Sequence, residues 1–362
     1  MSDPLPTPAA IAAALPPAPR SVTRGRAAVR AVLDGHDPRL LTIVGPCSVH
    51  DTDAALEYAG RLAAAARRYG DDLVVVLRAY LEKPRTVSGW TGLLPDPTLD
   101  GRGDVATGVR RGREFLVAAA ATGLPLAYEF VDPLLAPYVA DTVSWAAIGA
   151  RTVASQPHRH LASGLPMPVG MKNCVSGRLD TAIDAVRAAS LTHVLPVVGP
   201  DGRLTRVRSI GNPHAHLVLR GGPTPNYGAA AVADALTRLT GAGLPPRLVV
   251  DASHGNSGKD HLRQPAVVTD LAAQVAAGNT ALAGVMIESY LTDGRQAPAA
   301  RPLRPDVSVT DACLDWNATE RLLQTLARAA GARRGRMTPV TASTVTAPSR
   351  LLADATRYEA GP

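Results

Sequence analysis

The sequence predicts an α/β fold, a (β/α)8 TIM barrel with an N-terminal arm and an inserted antiparallel β-ribbon. Three observations lead there. Eight strand-like runs, near residues 40–46, 73–79, 125–131, 145–150, 167–172, 216–221, 247–253 and 283–288, alternate with helix-like segments, the pattern of parallel βα units. The composition is 46% apolar and only 4% aromatic, with abundant Ala, Leu and Val, which suits helices packed closely on a buried parallel sheet. Each strand-like run also carries a polar or charged residue at its carboxyl end, the edge at which barrels keep their chemistry. A chain of 362 residues accommodates one barrel of about 250 residues with extensions.

Residues 1–38 are rich in Pro and Ala and read as the arm, with one helix from Val22 to Leu33. The barrel spans 39–332. After the first strand a helix is expected from Asp53 to Tyr69, because Leu56, Ala59, Leu62 and Ala66 fall on one face. Between Thr192 and Ile210 two β-like runs flank Gly199-Pro-Asp-Gly202, whose turn chemistry reads as a hairpin inserted into the barrel. Asn317 with Glu320 resembles a capping box opening the last helix, and Leu322, Leu323 and Leu326 supply its apolar stripe. Residues 333–362 turn basic, then rich in Thr, Ser, Ala and Pro, and are expected to be disordered.

The formal charge of +7 admits nucleic acid as a partner, but the basic residues are dispersed and not interleaved with stacking aromatics. Small anionic substrates are the better reading. Cys47, Cys174 and Cys313 make no disulfide framework, and no signal peptide or run of about 20 apolar residues is present. A cytoplasmic protein that binds neither nucleic acid nor membrane is expected.

The stretch Asp251-Ala-Ser-His-Gly-Asn-Ser-Gly-Lys-Asp260 follows the apolar run Leu248-Val-Val, so His254 sits just beyond a strand. The run from Leu282 to Ile287 ends on Glu288, and that from Leu40 to Pro46 ends on Cys47. Nitrogen, sulfur and oxygen donors at three strand ends form a set suited to a divalent metal. The remaining strand ends offer Arg78, followed by Lys83 and Arg85, then Glu129, Arg151, Lys172 and Arg220. Six cations in one cup repel each other unless anionic ligands join them. Arginine's planar fork suits phosphate and carboxylate oxygens. Two phosphorylated metabolites, at least one a carboxylic acid, fit that charge.

The runs Gly45-Pro-Cys-Ser-Val-His-Asp51, Arg78-Ala-Tyr-Leu-Glu-Lys-Pro-Arg-Thr86, Gly89-Trp-Thr-Gly92, Ile148-Gly-Ala-Arg-Thr152, Gly170-Met-Lys-Asn173, Leu219-Arg-Gly-Gly222, Pro225-Asn-Tyr227, Asp251 to Asp260 and Val285-Met-Ile-Glu288 stand in one order and spacing. In this the chain, from about Arg39 to Ala332, resembles the type I 3-deoxy-D-arabino-heptulosonate 7-phosphate (DAHP) synthases, specifically the feedback-regulated microbial subgroup. The resemblance implies a metal-dependent condensation of phosphoenolpyruvate with D-erythrose 4-phosphate, giving DAHP and phosphate at the entry to the shikimate pathway. It places Cys47, His254, Glu288 and Asp311 as ligands of manganese, iron, cobalt or zinc. Arg151 and Arg220 would hold the phosphate of phosphoenolpyruvate, and Arg78 with Lys172 its carboxylate. Lys83, Arg85 and Thr86 fall on the erythrose 4-phosphate site, Lys83 also as a proton donor, while Glu129 would position the attacking water. A homo-oligomer, dimer or tetramer, is implied as well. The alternatives are a related enzyme condensing phosphoenolpyruvate with another phosphosugar, and a non-catalytic phosphosugar-binding regulator that keeps the barrel.

Beside these, Cys174 reads as a packing thiol, His50, His158, His160, His214 and His216 as structural or exposed, and Lys259 as part of the loop. If Asp311 and Cys47 reach one ion, Cys313 lies near Cys47. The arm is shorter than in the regulated relatives and Pro166 replaces a polar residue of their effector pocket, so weak or absent inhibition by phenylalanine and tyrosine is expected.

Overall fold

The computed structural model describes residues 4–336. Of the stretch expected to be disordered, residues 333–336 instead end the last helix, where Arg333 is buried and donates to the Leu282 carbonyl at 3.1 Å, and the rest, from 337 onward, lies outside the described residues. The arm holds two helices where one was expected, α1 (Pro8–Ala14) and α2 (Pro19–Asp34). Strand β1 (Leu40–Gly45) follows, then α3 (Thr52–Arg68), β2 (Leu73–Arg78), α4 (Val105–Ala121), β3 (Leu126–Glu129), β4 (Trp145–Ile148), α5 (Gln156–Gly164), β5 (Val169–Lys172) and α6 (Asp180–Ser190). The expected hairpin comes next as β6 (Val194–Val198) and β7 (Leu204–Arg208). The chain then returns through β8 (Ala215–Leu219), α7 (Ala229–Gly241), β9 (Leu248–Asp251), α8 (Gln264–Ala276), β10 (Leu282–Glu288) and α9 (Trp316–Arg336).

Eight strands close a parallel barrel in the order β1-β10-β9-β8-β5-β4-β3-β2, and β6 pairs only with β7, outside it. Closure runs through β1, which pairs with β2 and β10, so Gly45 lies level with Glu288. The barrel strands are fully buried runs with no alternation, as expected of strands covered on both faces. Several are shorter than their apolar runs suggest. At the carboxyl end the chain leaves the ladder early, and Arg151 and His254 lie on the loops that follow.

Helix α2 is a plug rather than an appendage. Val29, Val32 and Leu33 share a buried cluster with Leu41, Ile43, Val76, Trp145, Val218, Val249 and Met286 from the barrel interior. Each such side chain contributes about 1.5–3 kcal/mol of transfer free energy when buried. Arg26 fixes the helix by donating to the carbonyls of Val143 (2.9 Å) and Ala140 (2.8 Å). Helix α1 reaches the ribbon, where the Ala9 amide donates to the Pro200 carbonyl at 2.9 Å.

The capping box at Asn317 is corrected. The residue that caps α9 is Asp315, whose Oδ1 accepts from the Ala318 amide at 2.6 Å, while Glu320 turns outward to Arg68. The preceding residue explains it: the Leu314 amide is held by the Glu288 carbonyl at 3.0 Å, so the helix begins directly after that anchor. Among the described residues no helix is long and apolar enough to cross a membrane.

Candidate active site at the carboxyl ends of the strands

Gly45 sets the start of the site. Its φ of +156° and its closeness to β2 leave no room for a side chain, since a Cβ there would lie 2.7 Å from the Arg78 carbonyl oxygen. The chain can therefore turn tightly through Pro46 and bury Cys47 completely. The thiol of Cys47 and carboxylate oxygens of Glu288 and Asp311 all lie within 4.8 Å of one another, a spacing that can hold one metal ion. His254 stands beside this trio, its Nε2 3.7 Å from Glu288 Oε1. It adopts a left-handed backbone (φ +57°), a conformation costing a non-glycine residue about 1–3 kcal/mol. The loop holds it there: the Lys259 amide donates to the His254 carbonyl at 2.6 Å, and Asn256 Nδ2 donates to the Asp251 carbonyl at 2.8 Å.

Two side-chain cations already sit among these donors. Lys83 Nζ is 2.8 Å from Cys47 Sγ and 2.9 Å from Asp311 Oδ2, and Arg78 donates to Glu288 Oε1 at 3.0 Å. Burial opposes ionisation of Asp311, but the Lys83 ammonium outweighs it and holds that carboxyl well below the usual range. Burial, then the charge of Glu288, pushes the Cys47 thiol up to about 12 despite Lys83. A thiol and two carboxylates with an imidazole alongside, compensated by bridging ammonium and guanidinium groups, is a donor set suited to a divalent cation.

The six cations behave differently from a cup of free charge. Arg78 is 1% exposed and pairs with Glu288; Lys172 is 3% exposed and pairs with Asp251 at 2.8 Å; Lys83 pairs with Asp311. Internal acids thus balance half of the set, so six cations do not gather here on anionic ligands alone, as their number had suggested. Arg78 also donates to the carbonyls of Pro46 and Cys47 and to Met286 Sδ, which leaves one of its five N–H groups over. The other three show no carboxylate partner among the described residues. Arg151 Nε donates to Thr86 Oγ1 at 2.9 Å, Arg85 Nε donates to the Trp90 carbonyl at 2.7 Å, and Arg220 is buried. Burial, opposed by Asp251 and reinforced by Arg151, lowers the Arg220 guanidinium. Arg151 and Arg220 line a cavity of about 340 Å³ together with His254, Lys259 and Asp311.

Glu129, 8% exposed, ends β3. It is accommodated by Gly149 on the neighbouring strand's exit, where a Cβ would lie 2.0 Å from Glu129 Oε1. The Sγ of Cys313 accepts from the Cys47 amide at 3.4 Å, so the two cysteines are neighbours. Asp251 was not among the expected site residues, although an acidic residue closing the buried run Leu248-Val-Val signals a role. Asp251 is fully buried and bonded to Lys172 and Ser253.

A closed parallel barrel with clustered metal-type donors and arginines at the carboxyl ends of its strands defines the class: a TIM-barrel enzyme acting on phosphorylated anions. Residues 18–324 match the model of the DAHP synthetase I family, and the chain belongs to that family. It is 48% identical over 333 residues to the Trp-sensitive phospho-2-dehydro-3-deoxyheptonate aldolase of Enterobacter agglomerans, covering 90% of this chain and 95% of that one. The Phe-sensitive enzyme of Escherichia coli (strain K12) is 46% identical over 319 residues, covering 88% of this chain and 91% of its own. The solved structure of the aldolase from Francisella tularensis superposes with a TM-score of 0.91 at 37% identity, covering 92% of this chain and 99% of that one.

Proposed function

We propose that the chain is a 3-deoxy-7-phosphoheptulonate synthase: it condenses phosphoenolpyruvate with D-erythrose 4-phosphate and water, releasing DAHP and phosphate at the first step of aromatic amino acid biosynthesis. The observation that carries the reading is the position of Lys83, whose ammonium bridges Cys47 and Asp311 in a site that also contains Arg151 and Arg220. Arg220 and Arg151 take the phosphate of phosphoenolpyruvate, with charge-assisted bonds stronger than neutral ones. Lys172 takes its carboxylate through the protons not given to Asp251, and Arg78 adds its remaining N–H. Arg85 and Thr86 meet the phosphate of the four-carbon aldehyde. Glu129 orients a water toward the enolpyruvyl carbon that bears oxygen, while the methylene carbon adds to the aldehyde, and Lys83 delivers a proton to the aldehyde oxygen.

Cys47, His254, Glu288 and Asp311 would hold manganese, iron, cobalt or zinc, and the ion's contribution when bound is Lewis acidity toward the aldehyde oxygen. A homo-oligomer, dimer or tetramer, working in the cytoplasm completes the reading. The exposed apolar residues Leu204, Val207 and Ile210 on and beside the ribbon support association, which light scattering tests. The deciding assay follows phosphate release from phosphoenolpyruvate with a panel of aldose phosphates, with and without chelator. Activity is expected with erythrose 4-phosphate and lost with chelator. Turnover of a five-carbon acceptor alone would move the chain to another condensation, and no turnover at all would make it a binding protein.

A further inference from the structure

Asp251 Oδ1 accepts from the Ser253 amide (3.0 Å) and from the Ser253 hydroxyl (2.6 Å). Its Oδ2 accepts from Lys172 Nζ at 2.8 Å and lies 2.9 Å from His254 Nδ1, and Ser253 Oγ lies 2.7 Å from the same nitrogen. A carboxylate only accepts, so a proton shared across the 2.9 Å contact belongs to Nδ1. Ser253 has one hydroxyl proton and gives it to Asp251, so toward Nδ1 its oxygen is an acceptor too. Both neighbours therefore select the Nδ1–H tautomer. That leaves the lone pair on Nε2, the nitrogen beside Glu288.

We infer that Asp251 is a positioning residue shared by the two halves of the site: it fixes His254 with Nε2 free to ligate, and the same oxygen holds the Lys172 ammonium where the substrate carboxylate binds. This rests on the metal and phosphoenolpyruvate assignments proposed above. The carboxylate does its work from complete burial and need not touch either ligand. Partners of this kind orient a ligating imidazole and raise its basicity, and their loss typically weakens metal binding about tenfold to a hundredfold.

Asp251→Asn keeps the shape and removes the logic. With its amide nitrogen at the Oδ2 position it points a donor at Lys172 and at Nδ1; flipped, it points a donor at the Ser253 amide. The test measures Mn²⁺ binding by the electron paramagnetic resonance of the free ion, and phosphoenolpyruvate binding to metal-free protein by tryptophan fluorescence. Wild type is compared with Asp251→Asn, His254→Ala and Lys172→Met. The expected pattern is that His254→Ala weakens Mn²⁺ alone, Lys172→Met weakens phosphoenolpyruvate alone, and Asp251→Asn weakens both, Mn²⁺ by about tenfold to a hundredfold. Wild-type Mn²⁺ affinity in Asp251→Asn, with His254→Ala impaired, overturns the positioning role and leaves the site assignment standing. Wild-type affinity in His254→Ala overturns both. Should Asp251→Asn not fold, nitrogen NMR of labelled histidine in the metal-free wild type decides: Nδ1–H on His254 supports the inference, and Nε2–H overturns it.

Discussion

Gly149→Ala offers a test of Glu129 that leaves Glu129 itself in place. The added Cβ would lie 2.0 Å from Glu129 Oε1, against a limit near 3.0 Å that real contacts respect, so the carboxylate must retreat by about 1 Å. The group that yields is the far end of a flexible side chain, so the barrel should absorb the change with little loss of stability. A 1 Å misplacement of a positioning group can cost about a hundredfold in rate. The expected outcome is a fall in kcat of that order, with KM for phosphoenolpyruvate and the melting temperature little changed. Steady-state phosphate release measures the first two and calorimetry the third. Groups in contact are not additive, so Gly149→Ala should cost almost nothing further in a Glu129→Ala background. An equal cost in both backgrounds, or a single mutant within threefold of wild type, would refute the role given to Glu129.

Arg151→Ala should chiefly impair phosphoenolpyruvate and Arg85→Ala chiefly erythrose 4-phosphate, each by roughly tenfold to a hundredfold for a lost charge-assisted bond of about 1.5–3 kcal/mol; equal weakening of both substrates in both mutants would show the division of the cup to be wrong. Because the Cys47 thiol is pushed up to about 12 by burial and then by Glu288, it is protonated at neutral pH and binds metal only by losing that proton. Metal affinity should therefore fall about tenfold for each unit the pH is lowered, and titration calorimetry in two buffers of different ionisation enthalpy should count about one released proton from Cys47, absent in Cys47→Ser. Inhibition by phenylalanine and tyrosine should be weak, Pro166 having no polar side chain to offer a bound amino acid; half-maximal inhibition at micromolar phenylalanine would contradict this.

The barrel was legible because its strands are apolar runs cut by polar strand ends, a pattern that needs no distances. Cys47, His254 and Glu288 were read from it directly as candidate ligands. Asp311 was reached only through resemblance, since it lies on a loop after β10 with no periodicity to mark it. The plug was not legible: an amphipathic helix announces a buried face, not the surface that buries it, and Val29 and Leu33 share one cluster with residues of seven of the eight barrel strands. The pairing of Lys172 with Asp251 was hidden for the same reason, because the partners lie 79 residues apart and charge counts carry no geometry. At α9 Asp315 and Asn317 were equally good caps by residue type, and the anchoring of Leu314 decided between them.

With the barrel interior packed solid and α2 sealed against its other end, the site can be reached only across the rim at the carboxyl ends of the strands. Two ligands seated there as proposed would share that one way in and out. Lys172 and Arg78, 3% and 1% exposed, are the site's deepest cations, while Val87, next in sequence to Thr86, is 93% exposed. A substrate carboxylate seated against Lys172 and Arg78 as proposed would have to come in before a second substrate covers the rim, and after condensation the joined product would leave across the same threshold.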